Sequence, residues 1–159
     1  MPLKNWWMKN RYLDLIEQTF DFPQEEFKLD EKGSLLFHDI PLERIIEEYG
    51  TPLKLTYLPR IDQSIAQCHL WFKKAMEKHN YKADYNYCYC TKSNHFEFVI
   101  NRTLSSGAHL ETSSAFDLSI IESFAQKGKI DQNLYIICNG FKTDDYLDGI
   151  ANLINQGFH

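Results

Sequence analysis

From residue 51 onward the chain alternates two kinds of segment, and that alternation limits what it can fold into. "PLKLTYL" (52 to 58), "ADYNYCYC" (83 to 90), "AHLET" (108 to 112) and "LYIIC" (134 to 138) read as strands. Between and after them lie segments with apolar residues at helical spacing: 60 to 78, 95 to 106, 115 to 127 and 144 to 156. Gly107, Gly128 and Gly157 close the last three. Strand and helix in strict alternation with short links predict β-α units on a parallel sheet, either Rossmann-like or part of a barrel. A closed barrel of this kind takes about 250 residues. The segment 51–159 is shorter than half of that, so the expectation is a small open sheet or a piece of something longer.

Residues 1–50 read differently. A helix is predicted over 6–20, with Tyr12, Leu15, Ile16 and Phe20 on one face and Pro23 as its stop. Two short extended pieces flank the turn signal Asp30–Gly33, and "PLERIIEEYG" predicts a short helix from Pro41 to Gly50. The expected division is therefore 1–50 and 51–159.

Bulk properties narrow the function. A net charge of -5 argues against a nucleic-acid binder, which would present a basic face. No apolar run approaches the ~20 residues of a membrane span, and "MPLKNWWMKNRY" lacks the apolar centre of a secretion signal. A cytoplasmic protein is the expectation. Cys68, Cys88, Cys90 and Cys138 then read as reduced, packed thiols. Cys88 and Cys90 share a strand face, but no second pair accompanies them as a metal site would require. No glycine-rich dinucleotide or phosphate-loop pattern occurs.

In parallel α/β folds, sites gather at the C-terminal ends of the strands. Those ends carry "TKSN", "SSAFD" and "NGFK". If the strand ending at Cys90 continues, Lys92 shares a face with Asn86, Cys88 and Cys90, opposite Tyr85, Tyr87 and Tyr89. A lysine at the rim of a space lined by small groups suits reaction with a carbonyl. The alternative is an amine that extends into solvent. The neighbours have structural readings too. Asn94 with Glu97, and Ser114 with Asp117, have capping-box spacing. Asn139–Gly140 is an ordinary turn pair, and Glu111 is either a site acid or faces solvent. His95 and His109 stand alone.

Four motifs together resemble the fold-type III, alanine-racemase-like decarboxylases. "YGTPLKLTYLPRI" is similar to that family's opening segment. "YCYCTKSN" resembles its strand with the Schiff-base lysine, at Lys92, and an Asn two residues on, at Asn94. "HLETSSAFDL" matches an acid, a serine and a second acid at three-residue spacing: Glu111, Ser114 and Asp117. The family often has Asp then Glu, so the two acids' separate roles do not carry over. "IICNGFK" matches a strand ending in Asn with a lysine three residues later, Asn139 and Lys142. The series covers residues 49–157 and comes nearest to the bacterial arginine decarboxylase branch.

The resemblance implies a partial (β/α)8 barrel, cut after roughly its first half. It implies pyridoxal 5'-phosphate bonded to Lys92, with Asn94, Glu111, Ser114, Asp117 and Asn139 nearby, Lys142 on the rim, and no metal. It implies decarboxylation of a basic amino acid, most simply arginine to agmatine for polyamine synthesis, by a longer parent that is a homodimer or larger. The family's phosphate loop, pyridine-nitrogen acid and substrate-reading residues lie in later parts of such a parent, so the 159-residue chain alone is expected to be inactive. A diaminopimelate decarboxylase-like enzyme, or a non-catalytic relative with a binding or regulatory role, are the alternatives.

Overall fold

A computed structural model of the chain describes residues 26–159. The helix expected over 6–20 lies outside these residues. The chain divides into two compact units between Leu55 and Thr56, five residues beyond the sequence-based boundary.

In the first unit three short strands form an antiparallel sheet: β1 (Phe27–Leu29), β2 (Leu35–Phe37) and β3 (Ile40–Pro41). The turn between β1 and β2 is the one the sequence signals. Asp30 Oδ1 accepts from the amides of Lys32 and Ser34, both at 2.8 Å, which fixes the Phe27–Phe37 register. Helix α1 (Leu42–Tyr49) follows.

The second unit contains α2 (Pro59–Lys78), β4 (Cys88–Cys90), α3 (Glu97–Ser105), β5 (His109–Thr112), α4 (Ala115–Gln126), β6 (Ile136–Cys138) and α5 (Asp144–Asn155). The three strands run parallel in the order β4-β5-β6, each pair joined through a helix. The predicted α/β arrangement with a parallel sheet is therefore present. The backbone N–H of Ile136 also donates to the His159 carbonyl at 2.8 Å, so the last residue lies alongside β6.

Two of the expected strands need correction. Residues 52–58 form no strand, because they cross the division between units and no other segment of the described residues pairs with them. The strand expected over 83–90 is paired only at Cys88–Cys90. Its one neighbour among the described residues starts at His109, which leaves 83–86 with no ladder to join there.

Strand alternation decides where the core lies. Tyr89, Leu110, Thr112, Ile136 and Cys138 share one face, and helices α3, α4 and α5 pack against it through Ile100, Leu118, Ile121, Phe124, Tyr146 and Leu153. Ile100, Leu110 and Ile121 are fully buried, and each aliphatic side chain so removed from water contributes about 1.5–3 kcal/mol. The opposite face carries Cys88, Cys90, His109, Glu111 and Ile137 and has no helix over it among the described residues of this unit. At the outer layer, Asp62 of α2 accepts two hydrogen bonds from Arg102 of α3 and a third from Ser106 at 2.6 Å.

Candidate functional site

Because the three strands are parallel, the segments that follow Cys90, Thr112 and Cys138 emerge from one edge of the sheet. Lys92 is in the first of them, though not as strand parity predicts. β4 stops at Cys90, and residues 91–93 form a turn closed by the Ser93 amide on the Cys90 carbonyl at 3.2 Å. The turn, rather than the pleat shared with Cys88 and Cys90, therefore sets the direction of Lys92.

That turn is tied down on both sides. Thr91 is fully buried; its amide and its hydroxyl each donate to the Glu111 carbonyl at 3.0 Å. Ser93 Oγ donates to the Cys90 carbonyl at 2.8 Å, and Tyr89 Oη donates to the Asn94 carbonyl at 2.9 Å. Asn94 Oδ1 accepts from the Phe96 amide at 3.1 Å, in the loop that leads into α3. Asn94 and Glu97 do not form the expected capping box: the Glu97 carboxylate turns instead to Lys127 and Lys129. Lys92 itself is exposed, and its amine makes no hydrogen bond or ion pair among the described residues.

The second segment is organised around a buried carboxylate. Asp117 is 4% exposed, and its Oδ2 accepts from the Ser113 amide (2.8 Å), Ser113 Oγ (2.9 Å) and Ser114 Oγ (3.3 Å). Ser114 Oγ in turn accepts from the Asp117 amide at 3.4 Å, capping α4. Ser114 and Asp117 thus meet each other and build the loop. One position earlier, buried Thr112 shares a 2.9 Å hydrogen bond with the hydroxyl of fully buried Tyr146, locking β5 to α5. Burial pushes the Tyr146 phenol up from its ordinary range, so it stays neutral.

The third segment leans on the other two. Asn139 donates its backbone N–H to the Thr112 carbonyl at 2.8 Å and its side-chain amide to Glu111 Oε1 at 3.1 Å. Gly140 follows with φ +80°; a Cβ there would stand 2.6 Å from the Ser113 carbonyl oxygen. Only a residue without a side chain lets the two loops approach so closely. Lys142 Nζ donates to the carbonyls of Cys138, Asn139 and Gly140 at 2.9–3.1 Å and lies 4.7 Å from the Tyr146 ring centroid.

The six residues expected at the site therefore separate. Glu111 and Asn139 are in direct contact, and Lys92 follows the strand that pairs with Glu111. Ser114 and Asp117 are engaged with each other at the start of α4, and Asn94 Oδ1 is taken up by the Phe96 amide in the loop before α3. Sequence reasoning passed over Thr91, Ser93, Ser113 and Tyr89, which hold the loops. Their one signal is a hydroxyl group at or just beyond a strand end.

On the sheet face opposite the core, Cys88 is half-buried, and burial, followed by the Glu111 charge, pushes its thiol up, away from the thiolate. His109 Nδ1 accepts from the Tyr135 amide at 3.0 Å, and burial holds its imidazole below the usual range. Among the described residues no group of three His, Cys, Asp or Glu side chains could hold a metal, and no helix is long and apolar enough to cross a membrane. A concavity of about 630 Å³ between α2 and residues 80–85 lies on the N-terminal side of β4 and includes none of the six expected residues.

No protein-family model matches the chain. It is similar to the biosynthetic arginine decarboxylase of Geotalea uraniireducens, 26% identical over 148 residues, covering 83% of this chain and 23% of that protein. The biosynthetic arginine decarboxylase of Geobacter sulfurreducens gives the same identity and coverage. That of Bacteroides thetaiotaomicron is 26% identical over 107 residues, 65% of this chain and 16% of its own length. The chain spans less than a quarter of the curated relatives it matches.

Proposed function

We propose that the chain supplies the lysine-bearing rim of a pyridoxal-phosphate-dependent decarboxylase acting on a basic amino acid, arginine to agmatine, as part of a longer enzyme. Similarity to proteins named biosynthetic arginine decarboxylase supports the substrate and the reaction class. The observation that carries the cofactor is Lys92: an amine without a partner among the described residues, on a turn held rigidly from both sides. An aldehyde needs such a nitrogen, and the donor chemistry of this rim fits it.

When bound, the cofactor supplies the electron sink that decarboxylation requires. The chain's own residues perform simpler tasks. Lys92 presents its amine beyond the end of β4. Asn139 holds the Glu111 carboxylate in place by its 3.1 Å hydrogen bond, leaving that acid's second oxygen for a ligand. Ser114 and Asp117 hold the neighbouring loop and keep its backbone fixed. Fixing these groups beforehand lowers the cost of orienting a reactant.

The test is site mapping. The full chain is incubated with pyridoxal 5'-phosphate, reduced with borohydride, digested and analysed by mass spectrometry. The pyridoxyl group is expected chiefly on Lys92, with that peptide lost from Lys92→Ala. Label spread over the exposed lysines of α2, such as Lys73, Lys74 and Lys78, in equal measure to Lys92 would remove the basis for the reading.

A further inference from the structure

Two lysines occupy this rim, and they are opposites. Lys92 makes no polar contact among the described residues, whereas Lys142 uses every donor it has. An ammonium carries three N–H groups. Here three consecutive carbonyls, Cys138, Asn139 and Gly140, lie 3.0, 3.1 and 2.9 Å from the one nitrogen. Extended backbone points successive carbonyls to opposite sides, so their convergence requires the chain to curl as it leaves β6. Three carbonyl dipoles aimed at one point repel each other unless a cation stands between them. The Tyr146 ring closes a further side at 4.7 Å, itself immobilised by Thr112. No carboxylate of the described residues pairs with Lys142, so its charge is balanced by carbonyl oxygens and the ring.

We propose that Lys142 is a positioning residue, a tethered cation that gathers the carbonyls of Cys138, Asn139 and Gly140 and so sets the Asn139 side chain against Glu111. The curl it stabilises is the one that brings Gly140 to the Ser113 carbonyl and the Asn139 amide to Glu111 Oε1. The purpose of the clamp rests on reading this rim as the reactive site; the clamp itself does not. It also explains why two lysines on one rim would differ in chemistry: one is held for structure and the other is left free.

The experiment uses the full chain, its Lys142→Met and Lys142→Arg variants, and amide hydrogen exchange. Met keeps most of the stem and loses the charge and donors. In Lys142→Met, exchange at Asn139 and Gly140 is expected to rise at least tenfold, with the Leu110 and Ile136 amides within twofold of the parent. The Asn139 side-chain amide resonances should move towards free-asparagine positions. Ammonium chloride should restore both readouts and tetramethylammonium chloride, too large for the carbonyl ring, should not. Lys142→Arg should restore neither, because a planar guanidinium cannot aim three N–H groups at one centre. Unchanged exchange in Lys142→Met, or a uniform rise across the sheet indifferent to the cation, would overturn the proposal. Should Lys142→Met fail to fold, competitive acetylation of the unaltered chain decides. Lys142 is then expected to react at least tenfold more slowly than Lys92, and equal rates would count against it. A negative pyridoxal mapping result alongside a positive exchange result would remove the cofactor reading and leave the clamp standing.

Discussion

Gly140→Ala gives a direct measure of how tightly the rim loops are pressed together. Two costs add at this position. The backbone has φ +80°, a conformation that costs an alanine about 1–2 kcal/mol. The new Cβ would also stand 2.6 Å from the Ser113 carbonyl oxygen, a backbone atom that cannot rotate away. Overpacking of this kind costs about 1–3 kcal/mol. Loss of glycine's freedom in the unfolded chain returns about 0.4–1 kcal/mol. The net expectation is a loss of about 3 kcal/mol, within limits of about 1–4.5 kcal/mol. Gly128→Ala is the control: φ is +65° in the same unit, but nothing lies within 4 Å of a Cβ there, so only the strain remains, about 1 kcal/mol or less after the offset. Urea unfolding followed by circular dichroism separates the two. At a slope of about 2 kcal/mol per molar, Gly140→Ala should lower the midpoint by roughly 1.5 M and Gly128→Ala by a fraction of that. Midpoints that agree within error would mean the loops after β5 and β6 are not in contact, and the Asn139–Glu111 geometry would lose its support.

Two other perturbations probe the same unit. Asp117→Ala removes the acceptor shared by Ser113 and Ser114; hydrogen bonds to a charged group are worth about 1.5–3 kcal/mol, so a loss of about 2–4 kcal/mol is expected in urea unfolding, and a loss under 1 kcal/mol would contradict the buried cap. His109 should titrate below the ordinary histidine value of about 6.5, because burial disfavours its cation and protonation of Nδ1 would break the bond from the Tyr135 amide. The unfolded chain then binds the proton more readily, so this contribution to stability is complete above the unfolded pKa and is lost as pH falls through the folded one. Imidazole resonances followed against pH test this, and a midpoint at or above 6.5 would reverse the sign.

The helices were the most legible part of the chain. Gly107, Gly128 and Gly157 stand two residues past the last helical residues Ser105, Gln126 and Asn155, and apolar spacing located the bodies. Strands were less legible, because a strand is a relation between two segments. The alternation in 52–58 is as regular as any in the chain, yet no described segment pairs with it. Lys92 shows the same limit: pleat parity holds only while the ladder lasts, and the ladder ends at Cys90. At the site, sequence located the three polar segments on one edge. It could not tell free groups from engaged ones, since the engagement of Lys142 or Asp117 depends on carbonyls and amides, which every residue carries.

The two-sided character of β5 has a consequence for how this protein can change over time. Leu110 and Thr112 answer to the packed interior, while His109 and Glu111, one residue away in each case, point to the opposite face of the sheet. Substitutions at His109 or Glu111 therefore leave the packed interior untouched, whereas those at Leu110 or Thr112 disturb it. The strand can thus take new side chains at every second position while the interior behind it keeps its shape.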